Sequence, residues 1–149
     1  TVDGKKKTAP NIPTDDEYRE IIKRIIELKD EGYPVLFSKK NLEYTLNWKH
    51  GYDTDKIIGE EPSFDYIKCN AGKNFGIIDV NGDVYPCPTL VDTGKPLNGL
   101  KHGMAKAFEN ASGHNCKTCH IPCQNEFNLM YSLDPSTIFN IIRNYKFKG

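Results

Sequence analysis

The chain has 149 residues, and twenty Lys plus Arg balance twenty Asp plus Glu, so its formal net charge is zero. Hydrophobic residues make up 38% and charged residues 27%, the composition of an ordinary soluble globular protein. The balance speaks against the strongly basic surface of a nucleic-acid binder or a polybasic membrane anchor, and no apolar run of about 18 residues offers a membrane span.

Residues 1–13, "TVDGKKKTAPNIP", read as a flexible lead-in with a solvated lysine run, and no apolar core follows to make a signal peptide. A chain that starts this way looks like a piece of a longer protein. Thr14-Asp15-Asp16-Glu17 then forms a capping box, with carboxylates favourably placed at a helix N-terminus. Tyr18, Ile21, Ile22, Ile25 and Ile26 recur at helical spacing, and Gly32 and Pro34 end the run. The apolar triplet Val35-Leu36-Phe37 reads as a buried strand, and Ser38 caps a second helix carrying Leu42, Thr45 and Leu46 on one face. Helix, strand, helix over 14–50 is the rhythm of an α/β unit.

Residues 51–68 lack periodicity and read as a connection. In "FGIIDVNGDVYPC", Asn81-Gly82 between alternating runs predicts a β-hairpin with a two-residue type I′ turn. That register sets Val80 opposite Asp83, Ile78 opposite Tyr85, and Gly76 opposite Cys87. Pro86 has no N–H for a ladder, so the second strand is expected at an edge or to end there. Met104, Phe108 and Ala111 mark a short helix stopped near Gly113. "HNCKTCHIPC" (114–123) follows as a loop, then a helix with Cys123, Phe127, Met130 and Tyr131 on its apolar side. Asp134-Pro135 opens a last helix whose apolar face is Ile138, Ile141, Ile142 and Tyr145.

The chemistry lies in Cys69, Cys87, Cys116, Cys119 and Cys123. An odd count without a secretion signal favours a reducing, cytoplasmic compartment and metal-binding thiolates over a disulfide framework. Cys116-x2-Cys119-His120 matches the attachment motif of c-type haem, but that reading leaves the other thiols without a role and normally accompanies export. A redox dithiol is expected at a helix start near a βαβ unit, not between other cysteines. The metal readings use the whole set. The hairpin brings Cys69 and Cys87 together, and Cys116-x2-Cys119 makes a tight chelating pair. Zn²⁺ and a 4Fe–4S cluster both accept four thiolates, and ligand softness does not separate them. His114 and His120 read as exposed loop histidines, while His50 and His102 have no identifiable partner. Asp79 and Asp83 belong to the hairpin turn, and Met130 and Tyr131 to the core.

Cys69, twelve residues, Gly82, four residues, Cys87, and then Cys116-x2-Cys119-x3-Cys123 resembles the auxiliary-cluster region of radical SAM enzymes. That region is called twitch in its one-cluster form and SPASM in its two-cluster form. The resemblance covers 14–148 in element order, but its specific part is 69–126. It implies an α+β chain: the end of a partial (β/α) barrel over 14–50, a connection over 51–68, and a hairpin-and-helix cluster domain over 69–149. It also implies one auxiliary 4Fe–4S cluster that contacts substrate or passes electrons.

Five cysteines are too few for two clusters, and the catalytic Cys-x3-Cys-x2-Cys is absent. The SAM site and an N-terminal barrel partner would then belong to a parent enzyme of unknown substrate, and this chain alone is not expected to be catalytic. No nucleic-acid or membrane partner is expected. The rival reading is a non-catalytic four-cysteine zinc module for protein or nucleic-acid contacts, and a fragment prepared in air can hold zinc in the same thiolates. Among the five, the hairpin favours Cys69 and Cys87 and the two-residue gap favours Cys116 and Cys119. Cys123, which opens an apolar stripe, is left as a nearby spare and as the alternative ligand, because Cys119-x3-Cys123 also resembles a SPASM spacing.

Overall fold

The computed structural model describes residues 12–91 and 94–146, so the lead-in expected over 1–13 lies almost wholly outside them. Helix α1 (Asp15–Asp30) starts on the expected capping box: Thr14 Oγ1 accepts from the Glu17 N–H at 3.3 Å, and the Glu17 carboxylate accepts from the Thr14 N–H at 2.7 Å. It ends where Gly32 takes φ +96°. There the N–H groups of Gly32 and Tyr33 bond the carbonyls of Lys29 (3.1 Å) and Leu28 (3.0 Å), a Schellman ending.

The strand expected at Val35–Phe37 is not formed. These residues are an irregular connection with Leu36 73% exposed, because no neighbouring strand is present to pair their backbone. The segment 14–50 is therefore helix, coil, helix. Helix α2 (Lys39–Leu46) buries Leu42 and Thr45 as the pattern requires. Ser38 occupies its N-cap, its carbonyl accepting from the Leu42 N–H at 3.1 Å, but its side chain makes no bond to the helix. The cap comes from far along the chain, where the Glu126 carboxylate accepts from Ser38 N–H and Oγ–H, each at 3.0 Å.

The connection expected over 51–68 contains strand β1 (Lys56–Ile58). It pairs antiparallel with β5 (Cys116–Cys119), so the motif read as a loop is a strand. Between them lies a three-stranded antiparallel sheet in the order β2 (Ile77–Ile78), β3 (Asp83–Tyr85), β4 (Leu97–Asn98).

The hairpin is present, but its register is one residue from the expected one, pairing Ile77 with Tyr85 and Ile78 with Val84. The reason is Asp79. Its side chain accepts from the N–H groups of Asn81 (2.9 Å) and Asp83 (3.0 Å), building a longer loop instead of the type I′ turn. Gly82 still supplies a positive φ, +87°. Pro86 does end β3 at Tyr85, yet β3 is the central strand because β4 adds to its other side.

A short 3₁₀ turn (Pro88–Leu90) follows β3, and α3 (Gly99–His102) follows β4. Helix α4 (Met104–Ser112) lays Ala107 and Ala111 on β3 and β4 and stops at Gly113, as expected.

Helix α5 (Pro122–Tyr131) exists where the sequence places it, but turned. Cys123, Phe127 and Tyr131 are exposed, while Asn125, Asn128 and Leu129 are buried. In α6 (Pro135–Lys146), Asp134 Oδ1 accepts from the Thr137 N–H at 3.0 Å, the expected cap. Of its expected apolar face, Ile138 and Ile141 are half-buried and Ile142 is exposed; the Tyr145 side chain lies outside the described residues.

The chain is thus α+β, with α2, α5 and α6 packed together. Their interface is unusually polar: Ser38, Asn41, Asn125, Asn128 and Thr137 are all buried there or beside it. Among the described residues no helix is long and apolar enough to cross a membrane.

Candidate metal centre

Strand β5 organises the cysteines. In an unbroken strand, residues three apart point to opposite faces. Here the register shifts: Lys56, Ile57 and Ile58 face Cys119, Thr118 and Cys116, which leaves Lys117 as an extra, unpaired residue. Such a bulge re-aims the side chain beyond it. Cys116 thereby comes round toward Cys119. On the other side of β5, the Cys69 N–H bonds the Lys117 carbonyl at 2.8 Å, which lays the Cys69 segment against the same strand.

Cys87 completes the group from the end of β3. It packs with Ala71 and Leu90, and both Cys69 and Cys116 lie against that cluster. Its sulfur stands 3.1 Å from Thr89 Oγ1.

The four thiols sense one another. Interaction with Cys116 holds the Cys69 thiol well below its usual range, and the same interaction, followed by burial, pushes Cys116 far up. Burial pushes Cys119 up to about 12, and the charges of Cys69 and Cys87 add to the rise. Burial also raises Cys87, with a further contribution from Cys69. Four thiolates here would repel one another in a half-dry setting, and a bound cation removes that penalty. An all-sulfur donor set of this kind suits Zn²⁺ or an iron–sulfur cluster. Among the described residues no three His, Cys, Asp or Glu side chains stand in coordinating geometry as they are, so closing the set on a centre involves movement of the sulfurs.

Cys123 is elsewhere. It is exposed on the first turn of α5 beside Tyr18 of α1, so the apolar stripe expected to bury it does not do so.

Neither histidine of the motif is an exposed loop residue, and His114 has both ring nitrogens occupied, whereas His120 Nδ1 is buried without a partner among the described residues. His114 Nδ1 accepts from the Cys116 N–H at 3.1 Å, so Nε2 carries the proton and donates to the Ala71 carbonyl at 2.7 Å. No lone pair remains for a metal, and the ring serves to tie Cys116 to the Cys69 segment. His120 is only 7% exposed, with Nε2 donating to the Tyr52 carbonyl at 3.2 Å and its ring set among Tyr18, Trp48 and Tyr52. Burial lowers its pKa. An imidazole packed this way is not placed as an axial ligand, and Cys119 is too buried for a haem edge, so the geometry does not fit haem attachment. Nor does Cys116-x2-Cys119 start a helix as the dithiol reading requires.

Neither a protein-family model, nor a curated protein, nor a solved structure matches this chain.

Two residues that sequence reasoning missed complete the site. Asn125 Nδ2 donates to the Cys119 carbonyl at 2.8 Å, while its Oδ1 faces the Cys119 sulfur at 3.7 Å. Asn128 Oδ1 accepts from the Asn70 N–H at 2.7 Å, directly after Cys69. One buried edge of α5 therefore holds two cysteine-bearing segments. The available signal was a pair of asparagines three apart just after the cysteines, one turn of helix on one face.

Phe75 packs on the Cys87 cluster and stacks with Tyr131 (5.9 Å, 13°), while Phe127 lies 5.5 Å away; together they form an aromatic wall. Elsewhere Cys116 lines a cavity of about 400 Å³ shared with His114, Tyr85, Leu90, Asn110 and Ile58.

Proposed function

We propose that this chain is the C-terminal part of a radical SAM enzyme, contributing a twitch/SPASM-like domain that binds one auxiliary 4Fe–4S cluster. The observation that carries this reading is the convergence of three chain segments: Cys69 and Cys116 pack against the cluster that holds Cys87, and Cys119 stands on the strand that bears Cys116. The hairpin, its Gly82 and the strand bearing Cys116 and Cys119 also lie in the order that the resemblance implies. The barrel part of the reading has less behind it, since α1 and α2 are joined by coil rather than a strand.

A cluster held by these four cysteines would supply a redox centre or a contact to substrate. The chain's own part is to hold it. Asn125 and Asn128 fix the backbones of the Cys119 and Cys69 segments, His114 links Cys116 to Ala71, and Phe75 packs against the cluster around Cys87. The cavity beside Cys116 offers room for a small group. Cys123, on the outer face of α5, has no part in the site.

Anaerobic reconstitution with iron and sulfide, followed by metal analysis and Mössbauer spectroscopy, tests the assignment. Roughly four iron and four sulfide per chain are expected. Ala substitution at Cys69, Cys87, Cys116 or Cys119 should abolish stable binding, while Cys123→Ala should keep it. Reconstituted chain plus SAM and dithionite should yield no 5′-deoxyadenosine. Tight zinc with no iron–sulfur species would replace this reading with the four-cysteine zinc module. A parent sequence lacking Cys-x3-Cys-x2-Cys before Thr1 would remove the radical SAM assignment.

A further inference from the structure

Away from the cysteines, a groove of about 950 Å³ runs between the α1–α2 connection and α6. Its walls carry large apolar side chains that no described residue covers: Tyr33 is 58% exposed, Leu36 73% and Phe139 67%. Isolated exposed apolar residues are ordinary, but three around one concave surface mark a place for a partner.

The floor is built rather than loose. Lys29 Nζ donates to the Val35 carbonyl at 2.9 Å and to Asn140 Oδ1 at 2.6 Å, and Asn140 Nδ2 donates to the Leu36 carbonyl at 2.7 Å. These bonds pin the irregular connection to α6.

The charges lining the groove are uneven. Lys39 is paired with Asp30, and Lys40 with Asp134. Glu43 lines the groove on the α2 side, where its charge acts on Lys39. At the other end stand Lys29 and Arg143; neither forms an ion pair with a carboxylate among the described residues, although the charges of Glu126 and Asp30 act favourably on Lys29 and that of Arg143 opposes it. Lys29 is also partly buried, and burial disfavours its charged form. Two cations outside any ion pair, Arg143 exposed and Lys29 half-buried, beside three exposed apolar side chains are complementary to a carboxylate next to bulky apolar groups.

We propose that this groove docks an acidic, apolar segment of a partner protein, its carboxylate meeting Lys29 and Arg143 and its apolar side chains packing on Tyr33, Leu36 and Phe139. The groove shares no lining residue with the cysteine centre, so the proposal stands apart from the metal assignment. An open groove with apolar walls suits a peptide better than an enclosed metabolite site does.

The test uses a random peptide library displayed on phage and panned against the immobilised 149-residue chain. Enriched peptides should combine Asp or Glu with Leu, Phe or Trp. In fluorescence anisotropy the best of them, made synthetically, should bind Arg143→Glu and Phe139→Ser each about tenfold more weakly, with circular dichroism and metal content unchanged. Both positions are exposed, so the variants should fold.

The proposal is overturned if no peptide is enriched, if enriched peptides carry no acidic bias, or if both variants bind as the wild type does. It is also overturned if sedimentation shows self-association that Phe139→Ser abolishes, since the occupant would then be a second copy.

Discussion

Glu126 is the most informative residue to change outside the cysteines. Its carboxylate accepts from the Ser38 N–H (3.0 Å), Ser38 Oγ–H (3.0 Å) and Asn41 Nδ2–H (2.8 Å), and both donor residues are buried. Glu126→Ala leaves the Ser38 N–H and Oγ–H without this acceptor, reduces Asn41 Nδ2 to its bond with the Pro122 carbonyl (2.7 Å), and removes the carboxylate from the N-terminus of α2. An unsatisfied buried donor costs about 1–3 kcal/mol, and these losses overlap, so about 3–5 kcal/mol in all is expected. That is a large share of the roughly 5–15 kcal/mol that holds a domain folded. Glu126→Gln is the gentler probe. It keeps one oxygen for Ser38 but turns an amide toward a donor, for an expected loss of about 2 kcal/mol. Urea unfolding followed by far-UV circular dichroism reads this directly, and the melting temperature should fall by about 4–8 °C. A Glu126→Gln midpoint within error of the wild type would refute the view that this carboxylate caps α2.

Gly82→Val places a β-branched residue at φ +87°, with its Cβ 2.7 Å from Leu100 Cγ. Leu100 is exposed and can move aside, so backbone strain of about 1–2 kcal/mol should dominate, and displacement of Cys87 should lower metal content; unchanged metal loading would show that the hairpin does not position that ligand. Leu133 holds φ +56° at the end of α5 while 74% exposed, so Leu133→Gly should stabilise the chain by about 0.5–1 kcal/mol, and a loss in urea titration would contradict this. Burial alone would raise the Asp134 carboxyl, but bonds from Lys40, Ser136 and Thr137 outweigh it and hold the group well below the usual range. With the folded value depressed, its contribution is present above the unfolded value of about 3.9 and is lost as pH falls through the folded one. Asp134→Asn should therefore flatten the acid limb of the stability profile below about pH 4, and an unchanged limb would count against it.

Features set by neighbours in sequence were legible in it. The Thr14–Glu17 box, the Gly32 ending and the Asp134-Pro135 start each depend on a few adjacent residues, and each stands where the sequence places it. What depends on distant partners was not. Val35–Phe37 has strand-like residues but no strand beside it, whereas Lys56–Ile58 lacks periodicity yet pairs with Cys116–Cys119. The hairpin is displaced by one residue because the Asp79 side chain bonds two backbone N–H groups, which hydrophobic alternation does not register. Helix α5 stands where expected but faces the other way, because apolarity does not mark its inner face. Its buried face is chosen instead by backbone groups around Cys69 and Cys119 that need the donors and acceptors of Asn125 and Asn128.

The polar packing of α2, α5 and α6 has a consequence for how stability changes with temperature. Among the described residues, twelve hydrophobic and eight polar or charged residues are buried. On unfolding, hydration of apolar surface raises the heat capacity and hydration of polar surface lowers it. Opening this interior should therefore give an increment below the usual figure of about 12–15 cal/mol/K per residue. The stability curve is then a shallow dome: the chain loses little on cooling, and directional bonds rather than the strength of the hydrophobic effect set its upper limit. Differential scanning calorimetry on the metal-loaded chain reads that increment, and a value at or above the usual range would mean that apolar burial dominates after all.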